Sequence, residues 1–527
     1  MLVLPHSPAR PAPSRRWLAL AVLCLSLFIV TLDNTVLNVA LPTLVRDLGA
    51  TSSQLQWIVD AYVIVFAGLI LVSGSLADRF GRKRTFIVGL ILFAAGSTWA
   101  AYSGSVGMLI AARASMGIGG SLIMPSTLAI ITDVFSEPRQ RQRAFGFWAA
   151  TSGAGIALGP IVGGLLLVHF WWGSVFLINV PIAAIAVGCA VPLVPDSKDP
   201  AAQGPDLVGS LLSIAGLGLL LWAIIDAPVE GWSSAVVIGA GAGGLGVLTL
   251  FAVWERVTSH PMLRLQFFRN RSFSASILSL SLVMFGLFGA LFVLTQYLQF
   301  YLGFSALATG VRIIPAAGAI AIIAPLSTLL DRRVGTKLIV AAGLLIVAAG
   351  LWQISTATVT TTYAGTVAGM IMLGVGAGLA IPAVTGAVMG SLPRRHTGIG
   401  SATNGAFLQI GGAIGVAVIG SVLSTHYQNL MTPFLVPYHL PAAMESTILG
   451  SIGGAVDVAH HAGGLIGQAL SAQAGSAFIG GMDLALRAAA VVALAGALVA
   501  LLVLPARQAG ADETEGDGEA DARQATV

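Results

Sequence analysis

The amino-acid sequence predicts an all-α polytopic membrane protein with about fourteen bilayer-crossing helices. Three observations predict it. The chain of 527 residues is 56% hydrophobic and only 9% charged, with a mean hydropathy of +0.90, far beyond what a soluble core requires. Apolar runs long enough to cross a bilayer, about 20 residues each, recur from one end of the chain to the other. Finally, lysine and arginine collect in alternate connections between those runs, the pattern by which membrane chains set their orientation.

Taken in order, the first run spans 17–41 and follows Arg15 and Arg16. It continues past Asp33, and so many runs succeed it that it reads as a membrane helix rather than a removable leader. The runs 55–77, 85–101, 106–131, 145–168 and 174–194 complete a first set of six. A pair follows at 207–226 and 234–254, then a second set at 276–300, 307–330, 337–356, 363–390, 403–424 and 484–504. The chain thus divides into an N-terminal segment 1–16, a first six-helix half 17–200, an inserted helix pair 201–256, a second half 257–505 and an acidic tail 506–527. The second half includes a long loop, 425–482, whose residues are too polar-interrupted to span; a short helical cap is expected there.

Basic clusters follow the second helix (Arg79, Arg82, Lys83, Arg84), the fourth (Arg139, Arg141, Arg143), the eighth (Arg256, Arg264, Arg269, Arg271), the tenth (Arg332, Arg333, Lys337) and the twelfth (Arg394, Arg395). The opposite connections hold only Arg46, and 425–482 has no lysine or arginine. Both termini are therefore expected in the cytoplasm, with the chain a multi-pass protein of a bacterial cytoplasmic (inner) membrane and the 425–482 loop external. The excess of arginine over lysine fits a bacterial origin, and the tail ADETEGDGEADARQ has the composition of a disordered segment.

The same composition excludes other classes. A formal net charge of +4 is scattered over short loops without interleaved aromatics, so nucleic acid is not an expected partner. Cys24 and Cys189 each sit inside an apolar run, which disfavours a disulfide framework. All eight histidines lie in loops or termini, and the adjacent His460 and His461 point different ways on a helix, so no metal site is expected. No GxxxxGK[ST] segment exists for an ATP-driven pump. An enzyme is not expected, and neither is a cofactor.

An internal repeat links the halves. Gly117, Gly119 and Pro125 of ASMGIGGSLIMP recur 257 positions later as Gly374, Gly376 and Pro382. Gly155, Gly159 and Gly164 recur 256 positions later as Gly411, Gly415 and Gly420. Duplicated membrane halves typify secondary transporters, whose substrate site lies between the repeats.

Three charged positions stand out inside the apolar runs. An acid in hydrocarbon is costly and marks an ion path or a partner. Counted at about 1.5 Å per residue, Asp33, Asp60 and Arg113 share a depth of roughly 10 Å below the external surface. Burial favours a neutral carboxyl and a neighbouring guanidinium favours a carboxylate, so a change in either between two states would move a proton. A fixed buried ion pair with only a structural role is the alternative. The predicted spans of the second half contain no acid, and Met370 stands where the repeat would place Arg113. Uncharged side chains are the pocket candidates: Asn38, Gln296, Tyr297, Gln299, Asn404 and Gln409. Each could equally serve an interhelical hydrogen bond. So few acids favour monovalent or neutral lipophiles over dications.

The segments LDNTVLNVALP, GSLADRFGRKR, LIAARASMGIGG and GIALGPIVGG, in this order, resemble the major facilitator superfamily, and more narrowly its fourteen-span drug/proton antiporters, the EmrB/QacA-type multidrug exporters. LTQYLQFYLGFSALATGVRIIPAA is similar to that family's segment after the inserted pair. The resemblance implies a major facilitator fold and export of lipophilic small molecules (drugs, antibiotics, monovalent organic cations) driven by a proton gradient, from a chain expected as a monomer. It also assigns roles. Asp78, Arg79, Gly81, Arg82 and Lys83 would form the cytoplasmic gating loop; ordinary loop charge is the alternative. Gly155, Gly159, Pro160, Gly163 and Gly164 would form the antiporter motif, close helix packing being the alternative. Asp33, with Arg113 and Asp60, would couple protons. One departure is WWGSVFLINVP, which has Gly173 and Ser174 where the family often places an arginine between two tryptophans. Family motifs leave two other functions open: dedicated export of one metabolite such as an endogenous antibiotic, siderophore or lipid, and a non-transporting sensor or scaffold.

Overall fold

The computed structural model describes residues 13–135, 137–198, 204–392 and 397–505. The terminal residues 1–12 and 506–527 and the arginines Arg394 and Arg395 lie outside the described residues. The elements are α1 (Pro13–Leu48), α2 (Ser52–Phe80), α3 (Arg82–Ala101), α4 (Val106–Val134), α5 (Pro138–His169), α6 (Ser174–Leu177), α7 (Asn179–Leu193), α8 (Leu207–Glu230), α9 (Ala235–Val257), α10 (Arg271–Gln296), α11 (Ala306–Val334), α12 (Thr336–Ser355), α13 (Tyr363–Gly390), α14 (Thr397–Leu435), α15 (Ala442–Gly450), α16 (Ile452–Ala462) and α17 (Gly464–Val503). A single π-helical turn, Tyr297–Tyr301, extends α10.

Among the described residues, thirteen stretches are long and apolar enough to cross a membrane, and α5 makes a fourteenth if its two parts, bent by 42°, are taken together. Pro160 accounts for a bend there, because its ring clashes with the carbonyl four residues earlier. Turns need little sequence. Gly81 and Gly335, at φ +107° and +94°, reverse the chain between α2 and α3 and between α11 and α12, a conformation other residues resist. We call the end of the bundle carrying these two turns the basic face and the other the far face.

Repeat-related glycines make equivalent contacts. Gly117 of α4 packs on α2 and Gly119 on α3; Gly374 of α13 packs on α11 and Gly376 on α12. Gly155 and Gly159 of α5 abut Thr31 and Thr35 of α1, and Gly411 and Gly415 of α14 abut Ser281 and Phe285 of α10. Hydrogen side chains let these backbones approach, which is how apolar helices associate where lipid offers no hydrophobic drive. The last glycine of each set crosses between halves: Gly164 meets Leu307 of α11, and Gly420 meets Gln56 of α2. The halves therefore close on each other near the far face.

Helix α8 lies beside both halves, with Leu217 and Leu221 against Val63 and Ile64 of α2 and Ile410 and Ala413 of α14. At its far end Trp57 donates to Asp226 (3.0 Å) and Ser53 to the Ile225 carbonyl (3.0 Å). Trp232, just beyond, donates to Thr425 of α14 (2.9 Å). Helix α9 packs on α8 and otherwise presents apolar residues such as Val236, Leu245 and Leu250 outward.

The segment 425–482, expected as a loop, is instead mostly helix. Helix α14 runs on to Leu435 and α17 begins at Gly464, with α15 and α16 between them. The reason is packing rather than lipid: Tyr427, Met431 and Leu435 recur every four residues and are all buried. The expected cap is present as α15 and α16. It straddles the two halves: a side chain at Gly453 would collide with Phe300 of the π turn and with Val45 of α1.

Candidate functional site: a buried charge cluster beside an apolar cavity

Asp33 of α1 and Arg113 of α4 meet, each side chain only 1% exposed. Arg113 Nη1 donates to Asp33 Oδ2 at 2.5 Å, and Arg113 Nε donates to the Ile58 carbonyl of α2 at 3.0 Å. The guanidinium lies over the Tyr62 ring, 4.5 Å from its centroid, a favourable cation–π placement. Asp33 Oδ1 accepts from Asn179 Nδ2 (3.1 Å), which also donates to Ser97 (3.2 Å). Both carboxylate oxygens are thus satisfied. Asn179 and Tyr62 are members that sequence reasoning missed; the polar interruption in VFLINVP was the available signal for Asn179.

Asp60 stands apart from that pair. It is fully buried, and both its carboxyl oxygens are enclosed with no hydrogen-bond partner among the described residues. Its position on α2 explains where it points. Gln56, one turn earlier, abuts Gly420 of α14, and Ser421 donates to it (3.4 Å). Ile64 and Ala67, one and two turns later, face Ile410, Ala413 and Ile414 of α14. Asp60 shares their side of α2, in the seam where the halves meet.

A cavity of about 140 Å³ lies between the halves on the basic-face side of their closure. Its walls come from α1, α5, α10, α11 and α13, including Phe288, Leu291, Ile313, Ile320 and Met370. Among the described residues no charged side chain lines it, and Thr35 and Asn38 supply the polar ones. Of the six pocket candidates only Asn38 reaches it. Gln296 and Tyr297 sit at the far end of α10, where Tyr297 donates to the Thr361 carbonyl (3.1 Å). Gln299 donates to the Val39 carbonyl of α1 (2.9 Å), tying the π turn to the first half. Asn404 is buried with its Oδ1 unpartnered among the described residues, and Gln409 is half-buried on the same helix.

The loop after α2 is a network within the first half. Arg82 donates to Asp78 (2.8 Å) and pairs with Asp133 at the end of α4. Lys83 reaches the Val191 carbonyl of α7 (2.6 Å), the Arg82 amide bonds the Ser197 carbonyl (2.8 Å), and Arg79 stacks over Phe80. Asp133 was not singled out by sequence. On α5, Gly155, Gly159 and Gly163 face α1, whereas Pro160 and Gly164 face α11. One helix therefore carries two glycine-bearing faces, one inside its half and one across the seam. Two cations also went unweighed in the sequence: Arg487, paired with Asp483 at 2.5 Å, and Arg312 of α11.

Residues 23–416 match the Major Facilitator Superfamily. The chain belongs to that superfamily. It is a multi-pass membrane transporter and not an enzyme. It is 36% identical to the multidrug efflux pump LfrA of Mycolicibacterium smegmatis over 92% of this chain and 96% of that protein. It is 32% identical to the tetracenomycin C resistance and export protein of Streptomyces glaucescens over 96% and 95% of the two chains. It is 34% identical to the methyl viologen resistance protein SmvA of Salmonella typhimurium over 90% and 95%. Among solved structures, an inward-facing bacterial homologue of the human lysosomal transporter Spinster superposes with a TM-score of 0.64 at 17% identity, covering 94% of this chain and 98% of that one.

Proposed function

We propose that this protein exports lipophilic small molecules from the cytoplasm of a bacterium in exchange for protons. Efflux and resistance are the functions named for its relatives. The observation that carries the substrate class is the cavity between the halves, with Thr35 and Asn38 its polar side chains and none charged. Such a wall attracts apolar molecules by removing their surface from water and discriminates weakly among shapes. The basic face is the cytoplasmic one, with both termini there, so the cavity lies on the cytoplasmic side of the closure. The chain works as a monomer without a cofactor, the proton gradient supplying the energy.

Proton coupling resides in the first half. Asp33 is bonded on both oxygens, by Arg113 and Asn179, whereas Asp60 has no donor among the described residues. A charge there is costly, and the site accommodates a neutral carboxyl. Parting the seam would expose Asp60 to water and let its proton leave, so proton release and opening of the far face become one event. Asp33–Arg113 fixes α1, α2 and α4 around it. Asp78, Arg79, Gly81, Arg82 and Lys83 hold the basic end of the first half, and Gly155, Gly159, Pro160, Gly163 and Gly164 keep α5 close to both α1 and α11.

The test is uptake of tetraphenylphosphonium into proteoliposomes under an imposed pH gradient. Gradient-dependent accumulation that Asp60→Asn abolishes at matched incorporation supports the reading; accumulation indifferent to the gradient overturns proton coupling. Dedicated export of a single compound is the second reading, favoured by the relative named for tetracenomycin C. Resistance to several unrelated compounds on expression would reject it.

A further inference from the structure

Arg312 forms no ion pair among the described residues. It lies two turns into α11, half-buried, its guanidinium carbon 3.9 Å from the centroid of Phe304 and 5.4 Å from that of Tyr363. One nitrogen donates to the Ala308 carbonyl (3.1 Å), but Nε is enclosed with no acceptor among the described residues. Helices α10, α12, α13 and α14 contain no aspartate or glutamate. The acid of α11 itself, Asp331, is 19 residues further on, about 28 Å along the helix. The contrast with Arg113, cancelled by Asp33, is complete.

A second orphan adjoins it. Thr309, three residues earlier, is 0% exposed, and its hydroxyl is enclosed and unpartnered among the described residues. Residues three apart share a helix face, so two buried donors, a hydroxyl and a charged N–H, are presented side by side. Tyr363 donates to the Arg312 carbonyl (2.9 Å) and fixes α13 against this face. One turn on, Ala316 and Ile313 already line the apolar cavity.

We propose that Thr309 and Arg312 form a binding site for the carboxylate of an amphipathic organic acid whose apolar body occupies the cavity. Two donors on one face suit the two oxygens of a carboxylate, and Phe304 and Tyr363 wall the guanidinium. A phospholipid phosphate fits less well, because the unpartnered hydroxyl and Nε are enclosed by protein rather than turned to lipid. The passage of such an acid across the membrane rests on the exporter reading; its binding does not.

The experiment is equilibrium dialysis of the purified full-length protein with 2-naphthoate, its neutral isostere 2-naphthamide, and tetraphenylphosphonium. Wild type is expected to bind 2-naphthoate more tightly than 2-naphthamide. Arg312→Gln is expected to weaken 2-naphthoate by about tenfold or more, as loss of a charge-assisted hydrogen bond does. Arg312→Lys should retain most of the preference and Thr309→Val lose part of it, with the other two probes unchanged throughout. Equal binding of naphthoate and naphthamide by wild type overturns the site, and so does an Arg312→Gln variant that loses all three probes alike. Co-purifying phospholipid phosphorus that disappears in Arg312→Gln while naphthoate binding stays unchanged overturns it in favour of lipid. Transport of tetraphenylphosphonium, measured separately in vesicles, tells failure of the exporter reading from failure of this one.

Discussion

Asparagine replaces aspartate with almost no change of shape, so Asp33→Asn and Asp60→Asn separate a structural charge from a working one. Asp33 Oδ2 accepts from Arg113 at 2.5 Å with both side chains 1% exposed. Removing that carboxylate strands a buried guanidinium, a loss of about 3–5 kcal/mol for pairs of this kind. Asp60 has no partner among the described residues, so its amide breaks no hydrogen bond and is expected to change stability by less than about 1 kcal/mol. Equilibrium unfolding in mixed micelles should therefore separate the two variants by at least about 2 kcal/mol. Per folded molecule, transport should rank them the other way. Asp60→Asn folds and binds substrate yet loses gradient-driven accumulation, while Asp33→Asn lowers the yield of folded protein but leaves each folded molecule coupled to the gradient. The double variant Asp33→Leu/Arg113→Met recovers most of the stability, because a well-packed apolar pair often matches a buried ion pair. Equal stability losses in both single variants would refute the assignment, as would gradient-driven uptake that survives Asp60→Asn but not the folded double variant.

Three further outcomes follow. Gly159→Leu should abolish folded protein in the membrane, measured by size-exclusion yield, because a side chain there collides with Thr35 and the backbone of α1; Gly153→Leu, which meets nothing within 4 Å, should not. Asp133→Asn frees Arg82 from one of its two acids and is expected to slow export severalfold with little loss of stability, since Asp133 is 32% exposed and partly solvated pairs contribute about 1 kcal/mol. Cells expressing the protein should tolerate tetraphenylphosphonium better than the dication methyl viologen; robust protection from methyl viologen alone would overturn the preference for monovalent and neutral substrates.

Much of the architecture was legible because bilayer thickness leaves hydropathy few solutions. The fourteen apolar runs meet thirteen candidate spans among the described residues, and a fourteenth when bent α5 is counted as one; the repeat of Gly117 and Gly374 or Gly155 and Gly411 marked which helices would pack alike. The pair Asp33 and Arg113 was visible because depth can be counted along a helix. Depth says nothing of azimuth, and that is where the reading failed. Asp60 sits at the same counted depth but makes no bond to Arg113, and Gln296, Tyr297, Gln299, Asn404 and Gln409 miss the cavity. Arg312 was invisible for a related reason: one basic residue inside a long apolar run barely lowers its hydropathy. Similarly, the extension of α14 to Leu435 depends on burial of Tyr427 and Met431 against neighbouring helices, which composition alone does not report.

The cap offers the sharpest test of how the far face opens. It belongs to the second half by sequence, yet it grips the first. A side chain at Gly453 would meet Val45 of α1, and one at Gly450 would meet Thr51, the N-cap of α2. Tyr427 meanwhile anchors the cap to α14 through the Ile448 carbonyl (3.0 Å). If the halves part at the far face, the Val45–Gly453 contact must break while Tyr427–Ile448 need not. Cysteines at Thr51 and Gly450, where a Cβ on Gly450 would lie 3.5 Å from that of Thr51, a disulfide-compatible spacing, should crosslink in a background lacking Cys24 and Cys189 and arrest export, with recovery on reduction. Tyr427→Phe, which removes the hydrogen bond to the Ile448 carbonyl and keeps the ring, should leave export running. Loss of export in Tyr427→Phe would mean that the cap must stay fastened to α14, and export through the crosslinked pair would mean that substrate leaves without the halves separating beneath it.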